Sequence, residues 1–95
     1  MFKWLNKQGV ESNKGFIVQT VSRFVIEYRQ NSKKISLQVE VDYESSVDKV
    51  TVIVNKSSFI KWDDGETISQ GKQAEIIQNF KDALEFQGIE LIIED

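Results

Sequence analysis

The sequence predicts an α+β domain: an antiparallel meander sheet of about five strands, with one long C-terminal amphipathic helix packed on one face and a final strand. Three observations carry this. Residues 35 to 42 alternate without a break, Ile35, Leu37, Val39 and Val41 apolar against Ser36, Gln38, Glu40 and Asp42 polar, which is the period of a half-buried strand. From Gln73 the spacing changes to threes and fours through Ile76, Ile77, Phe80, Ala83 and Leu84, the period of a helix with one apolar stripe. Finally, 95 residues with 40% hydrophobic side chains and no proline suffice for a single domain, residues 1–95, with uninterrupted elements.

The elements follow in order. Gly15 opens an apolar-rich stretch whose β-branched and aromatic residues favour extended chain. It reads as two strands, roughly 16 to 20 and 23 to 29, with a bend or bulge near Val21-Ser22 and with Phe24, Ile26 and Tyr28 on the buried face. Gln30-Asn31-Ser32-Lys33 supplies turn residues, and the alternating strand completes a hairpin. Tyr43 to Asp48 is polar enough for a loop, and Lys49 to Asn55 forms the next strand with Val50, Val52 and Val54 inward. Ser57 to Trp62 reads as a short edge strand, closed by a turn at Asp63-Asp64-Gly65-Glu66. Ser69 is the N-cap of a helix over about 70 to 87. Gly88 fits the position past the helix end where a left-handed conformation is wanted, and Ile89 to Glu94 is the last strand.

Composition narrows the chemistry. Histidine and cysteine are both absent, which removes disulfides, thiolate and imidazole metal ligands, cysteine nucleophiles and histidine-based triads. Three carboxylates in the turn at residues 63 to 66 match no calcium-loop spacing, and Asp42, Glu44 and Asp48 read as a solvated hairpin end. Ser69-Gln70-Gly71-Lys72 spells Ser-x-x-Lys, although Ser69 is more simply a helix cap. No catalytic residue, metal ligand or cofactor is therefore expected, and the protein is not expected to be an enzyme. Arg23, Arg29, Lys33 and Lys34 lie near Phe24 and Tyr28 in the manner of a single-strand nucleic-acid platform, but those rings are needed by the hairpin core, so no nucleic-acid partner is expected. The start of the chain shows no signal-peptide pattern and no run approaches membrane-spanning length; the expectation is a cytoplasmic protein with no membrane partner.

Charge is unevenly distributed. Residues 1 to 38 carry seven bases against two acids, and residues 39 to 95 carry five bases against thirteen acids, within a formal net charge of -3. An acidic C-terminal half suits a basic partner wherever the fold keeps the halves apart. Trp62 is the residue packing explains least: it precedes the acidic turn and is of the type that anchors interfaces. The expected partner-binding residues are Trp62, Asp63, Asp64 and Glu66.

The pieces Phe59-Ile60-Lys61-Trp62, Ile68, Ile76-Ile77-Gln78-Asn79-Phe80 and Ala83-Leu84-Glu85-Phe86-Gln87-Gly88-Ile89-Glu90-Leu91 together resemble a family of small bacterial immunity proteins from polymorphic toxin systems. The resemblance covers about two thirds of the chain if the hairpin from Phe24 to Val41 is included. It implies a cytoplasmic protein that binds and neutralises a cognate toxin, nucleases being one class of such toxins, without catalysing anything. The alternative from a different class is a non-catalytic adaptor that binds a protein partner through an exposed sheet edge.

Overall fold

A computed structural model describes all residues, 1–95. Seven strands form one sheet in chain order: β1 (Phe2–Asn6), β2 (Gly9–Ser12), β3 (Phe16–Ser22), β4 (Val25–Gln30), β5 (Lys33–Glu44), β6 (Lys49–Asn55) and β7 (Ile89–Glu94). The first six pair antiparallel as a meander, and β7 lies parallel to β6. That last pairing demands a crossover. The helix α1 (Gln70–Phe86) supplies it, preceded by a single 3₁₀ turn at Lys56–Phe59. The expected α+β architecture with a final strand is present, with β1 and β2 added and the strand expected at 57 to 62 absent.

The long strand β5 serves two neighbours in succession. Lys33 to Gln38 pair with β4, and Val39 to Glu44 pair with β6. Its alternation continues through both halves, so Ile35, Leu37 and Val39 are buried while Lys34, Ser36, Gln38, Glu40 and Asp42 face solvent. The strand runs on to Glu44, past the point where the polar sequence suggested a loop, and only Ser45 to Asp48 turn. The β4–β5 connection is a two-residue turn in which Asn31 and Ser32 both have positive φ, 54° and 65°, the backbone whose twist matches a hairpin.

The core lies between the sheet and α1. Ile76, Phe80, Ala83 and Leu84 meet Val18, Ile26, Tyr28, Leu37, Val52 and Val54 in one buried cluster, against which Ile77, Ile89, Leu91 and Ile93 pack. Ser69 caps the helix, its hydroxyl accepting from the Lys72 amide at 3.3 Å. Gly88 follows the helix at φ 79°, where a side chain would be strained. Asn79 is the one buried polar residue on the helix stripe. Its amide donates to the Tyr28 hydroxyl at 3.0 Å, and that hydroxyl donates to Gln30 Oε1 at 2.8 Å. Burial of the phenol pushes the Tyr28 pKa up to about 12, against the opposing hydrogen bond from Asn79.

The hairpin β1–β2 is formed by residues to which the sequence reading assigned no element. Two expectations are corrected. Residues 57 to 62 are not an edge strand: Asn55 accepts from the Ser57 amide and starts the 3₁₀ turn, which carries Phe59 fully into the core. Phe24 does not share the buried face of Ile26 and Tyr28. The bulge at Thr20/Ser22 falls where a bend was expected, and it leaves Arg23 and Phe24 as the turn itself, so Phe24 is 57% exposed beneath the Arg23 guanidinium.

Candidate partner-binding surface

The four residues singled out in sequence do come together, but chiefly to bind one another and the β4–β5 hairpin. Trp62 is buried, its ring stacked on Tyr28 with centroids 6.5 Å apart. A ring in that position roofs the core. The turn closes through Gly65 N–H to the Trp62 carbonyl and Trp62 N–H to the Glu66 carbonyl. Asp63 spends both carboxylate oxygens on Ser36, accepting from its amide at 2.9 Å and its hydroxyl at 2.6 Å, while its own amide donates to the Lys34 carbonyl. Asp64 and Glu66 share the Lys33 ammonium at 2.6 and 3.2 Å. The Lys33 hydrogen bond holds the Asp64 carboxyl below its usual range, and Asp64 in turn raises Lys33. The acidic turn is thus a clasp that fastens the segment before α1 to the hairpin, and its carboxylates are largely committed within the molecule.

The basic cluster of the first hairpin is similarly spent. Arg29 and Lys34 both pair with Glu27, at 2.8 and 3.5 Å, and the Arg29 hydrogen bond lowers the Glu27 pKa. Tyr28 lies in the core and Lys33 in the clasp.

The open acidity lies elsewhere. Because strand order follows chain order, the acids of β5 beyond residue 38, β6 and β7 stay apart from the basic first half, although the turn at 63 to 66 returns three carboxylates to it; the division falls at residues 38 and 39, where β5 leaves β4 for β6. On the sheet face turned away from α1, the register of β5, β6 and β7 sets Glu40, Ile53 and Ile92 in one row. Asp42, Thr51 and Glu90 form the next row, and Asn55 lies beside Glu94. Ile92 is 43% exposed and Ile53 half-buried, so an apolar centre is bordered by Glu40, Asp42, Glu90 and Glu94. Only Glu90 has a cationic neighbour, Lys49. A shallow hollow lined by Phe24, Val25, Glu40, Ile53 and Glu94 extends this surface toward the β3–β4 turn. Sequence reasoning had Asp42 as part of a solvated hairpin end and gave no role to Glu90 or Glu94; the signal that marks this face is the presence of Ile53 and Ile92 at outward positions of strands whose other outward residues are polar.

No helix is long and apolar enough to cross a membrane. Comparison with family models, with curated proteins and with solved structures gives no match.

Proposed function

We propose that this protein is a binding protein without catalytic activity, an immunity protein that neutralises a cognate bacterial toxin by docking a basic surface of it on the outer face of β5, β6 and β7. The observation that supports the reading most is the border of four carboxylates around exposed Ile92 and half-buried Ile53. An apolar centre desolvated on contact supplies holding strength, and the surrounding charge speeds and orients encounter. A nuclease, whose cleft must be basic to hold phosphate, is the toxin class this surface suits.

Co-purification with the product of the adjacent gene, followed by rescue of growth in cells expressing that product, tests the function. Within such a complex, Glu40→Lys with Glu94→Lys is expected to slow association and weaken its salt dependence, whereas Ile92→Ala chiefly speeds dissociation. Glu85→Lys, on the exposed side of α1, serves as the control. If the control weakens binding as much as the sheet-face pair does, the docking surface is not this face; if no complex forms and growth is not rescued, the immunity reading fails.

A further inference from the structure

β5 outruns the strand beside it, and part of its backbone is left without a partner. β4 stops at Val25, opposite Gln38, while β5 continues to Glu44 with β6 on its other side. The Val39 amide donates to the Phe24 carbonyl at 2.8 Å, so the backbone groups of Val39 point toward β4. Backbone groups turn to alternate sides along a strand, and β5 pairs with β6 from Val39 to Glu44 without a register shift. The amides and carbonyls of Val41 and Tyr43 therefore point the same way as those of Val39, to a side where no strand lies, whereas those of Glu40 and Asp42 are turned to β6. Four backbone groups of a regular strand are open to further pairing.

The surroundings of this open side select what is added. Val41 and Tyr43 are both exposed, and Val41 lies with Val50, Val52 and Ile89 in a groove of about 500 Å³, with room for more than one aliphatic side chain. No acid lines it. Its charged members are Lys7 and Arg23, and neither takes part in an ion pair. Arg23 belongs to the β3–β4 turn, which closes the open side at its Phe24 end. Lys7 belongs to the β1–β2 turn, tied to β3 by the Thr20 amide donating to the Gln8 carbonyl at 2.9 Å. A strand added to β5 has to stop at Phe24, and two cations without acidic partners stand at the stop. A chain that continued would have to leave the sheet; a chain that ends there brings a carboxylate to them.

We propose that the open side of β5 takes the C-terminus of a partner polypeptide, added as a short antiparallel strand with its terminal carboxylate at Arg23 and Lys7. The direction follows from the stop: a chain ending at Phe24 runs from Glu44 toward Glu40, against β5. Its last residue lies opposite Val41, so that the Val41 amide donates to the terminal carboxylate and the Val41 carbonyl accepts from the last residue's amide. The residue two before it pairs with Tyr43 in the same way. Facing residues share a side of the sheet, so both of these are apolar and lie toward the groove. The residue between them lies beside Asp42 and is basic or neutral. The site does not depend on the function proposed for the outer face of β5 to β7.

The probe is a fluorescent peptide, Gly-Lys-Ile-Lys-Val with a free C-terminus, compared with its C-terminal amide by anisotropy at low salt. The native chain is expected to bind the free acid about tenfold more tightly than the amide. Arg23→Glu combined with Lys7→Glu, both in exposed turns, should abolish that preference. Lys14→Glu combined with Lys61→Glu makes the same change in charge away from the groove and should keep it; circular dichroism verifies that each variant is folded. Amide hydrogen exchange locates the peptide on the native chain. Val41 and Tyr43 should exchange rapidly when free and slow about tenfold or more with the free acid at saturation, while Glu40 and Asp42 are slow throughout. Equal affinity for acid and amide, or a preference that survives in the Arg23→Glu, Lys7→Glu variant, overturns the proposal. So does slow exchange at Val41 and Tyr43 in the free chain, or exchange there that the bound peptide leaves unchanged.

Discussion

Asp63 discriminates between a docking turn and a structural clasp. Asp63→Ala removes two charge-assisted hydrogen bonds at once, from the Ser36 amide at 2.9 Å and the Ser36 hydroxyl at 2.6 Å. Such bonds are worth about 1.5–3 kcal/mol each where water is excluded. Both lie at the surface, so water replaces much of each, and the backbone bond from Asp63 to the Lys34 carbonyl survives. The expected cost is about 1–2 kcal/mol in total, against less than about 0.5 kcal/mol for Asp42→Ala, an exposed residue of the sheet face. For a chain of this length each kcal/mol moves the melting temperature by roughly 4–8 °C. Urea unfolding of both variants should show a lower midpoint for Asp63→Ala with an unchanged slope. Asp63→Asn, which keeps an acceptor for the Ser36 amide, should recover part of the loss. An Asp63→Ala midpoint indistinguishable from that of Asp42→Ala would refute the clasp and return the turn to the list of free carboxylates.

Phe80, fully buried and edge-on to Phe59 at 5.9 Å, should cost about 3–5 kcal/mol on truncation to alanine, and a loss below about 1 kcal/mol by urea unfolding would contradict its place in the core. Ser32→Gly should stabilise the β4–β5 turn by about 0.5–1 kcal/mol, since glycine tolerates the positive φ that Ser32 adopts; thermal unfolding checks this. Tyr28 titrates near 12 when folded and near 10 when unfolded, so the stability it contributes is complete below pH 10. It is lost as pH rises toward 12, by about 2–3 kcal/mol. Tyr28→Phe should flatten that alkaline limb. Glu27 has the opposite sign: Arg29 lowers its pKa from 4.5, so its contribution holds above that value and is lost as pH falls through the lower folded one. Glu27→Gln should reduce the acid dependence of unfolding.

The legible parts of the sequence were those where burial alone sets the pattern. The β5 alternation, the α1 stripe with Ser69 and Gly88 at its ends, and the bulge before Val25 were all readable from residues within a few positions of one another. The hairpin β1–β2 was not. Lys3, Trp4, Leu5, Asn6 and Lys7 show no alternation because β1 is an edge strand with its bulge at Leu5, and its extended form comes from pairing with β2. Nor could sequence show that Asp63 reaches Ser36, 27 residues away, since a carboxylate in an Asp-Gly turn has the same local pattern whether free or engaged. The acidic sheet face depended on knowing that the strands stack in chain order.

Alternation also fails to report coverage, and β5 provides the comparison. Val39 and Val41 are successive inward residues, facing Val54 and Val52 of β6, yet Val39 is 6% exposed and Val41 47%. The difference lies in the neighbouring strand. β4 stops at Val25, opposite Gln38, so Val41 has β6 on one side and no strand on the other, whereas the Val39 amide still donates to the Phe24 carbonyl. Val39, Val41, Val50, Val52 and Ile89 line an open groove with Lys7, Arg23 and Gln87, and Val41 is its exposed valine. Threonine matches valine in shape and strand preference but adds a hydroxyl. At Val39 that hydroxyl would enter the core, where an unpartnered group costs about 1–3 kcal/mol. At Val41 it would meet water, and the change should stay within about 0.5 kcal/mol. Urea unfolding of Val39→Thr and Val41→Thr compares two substitutions identical in chemistry, strand and side of the sheet. Equal losses at the two positions would show that the groove is closed in solution and that the inward face is covered along its whole length.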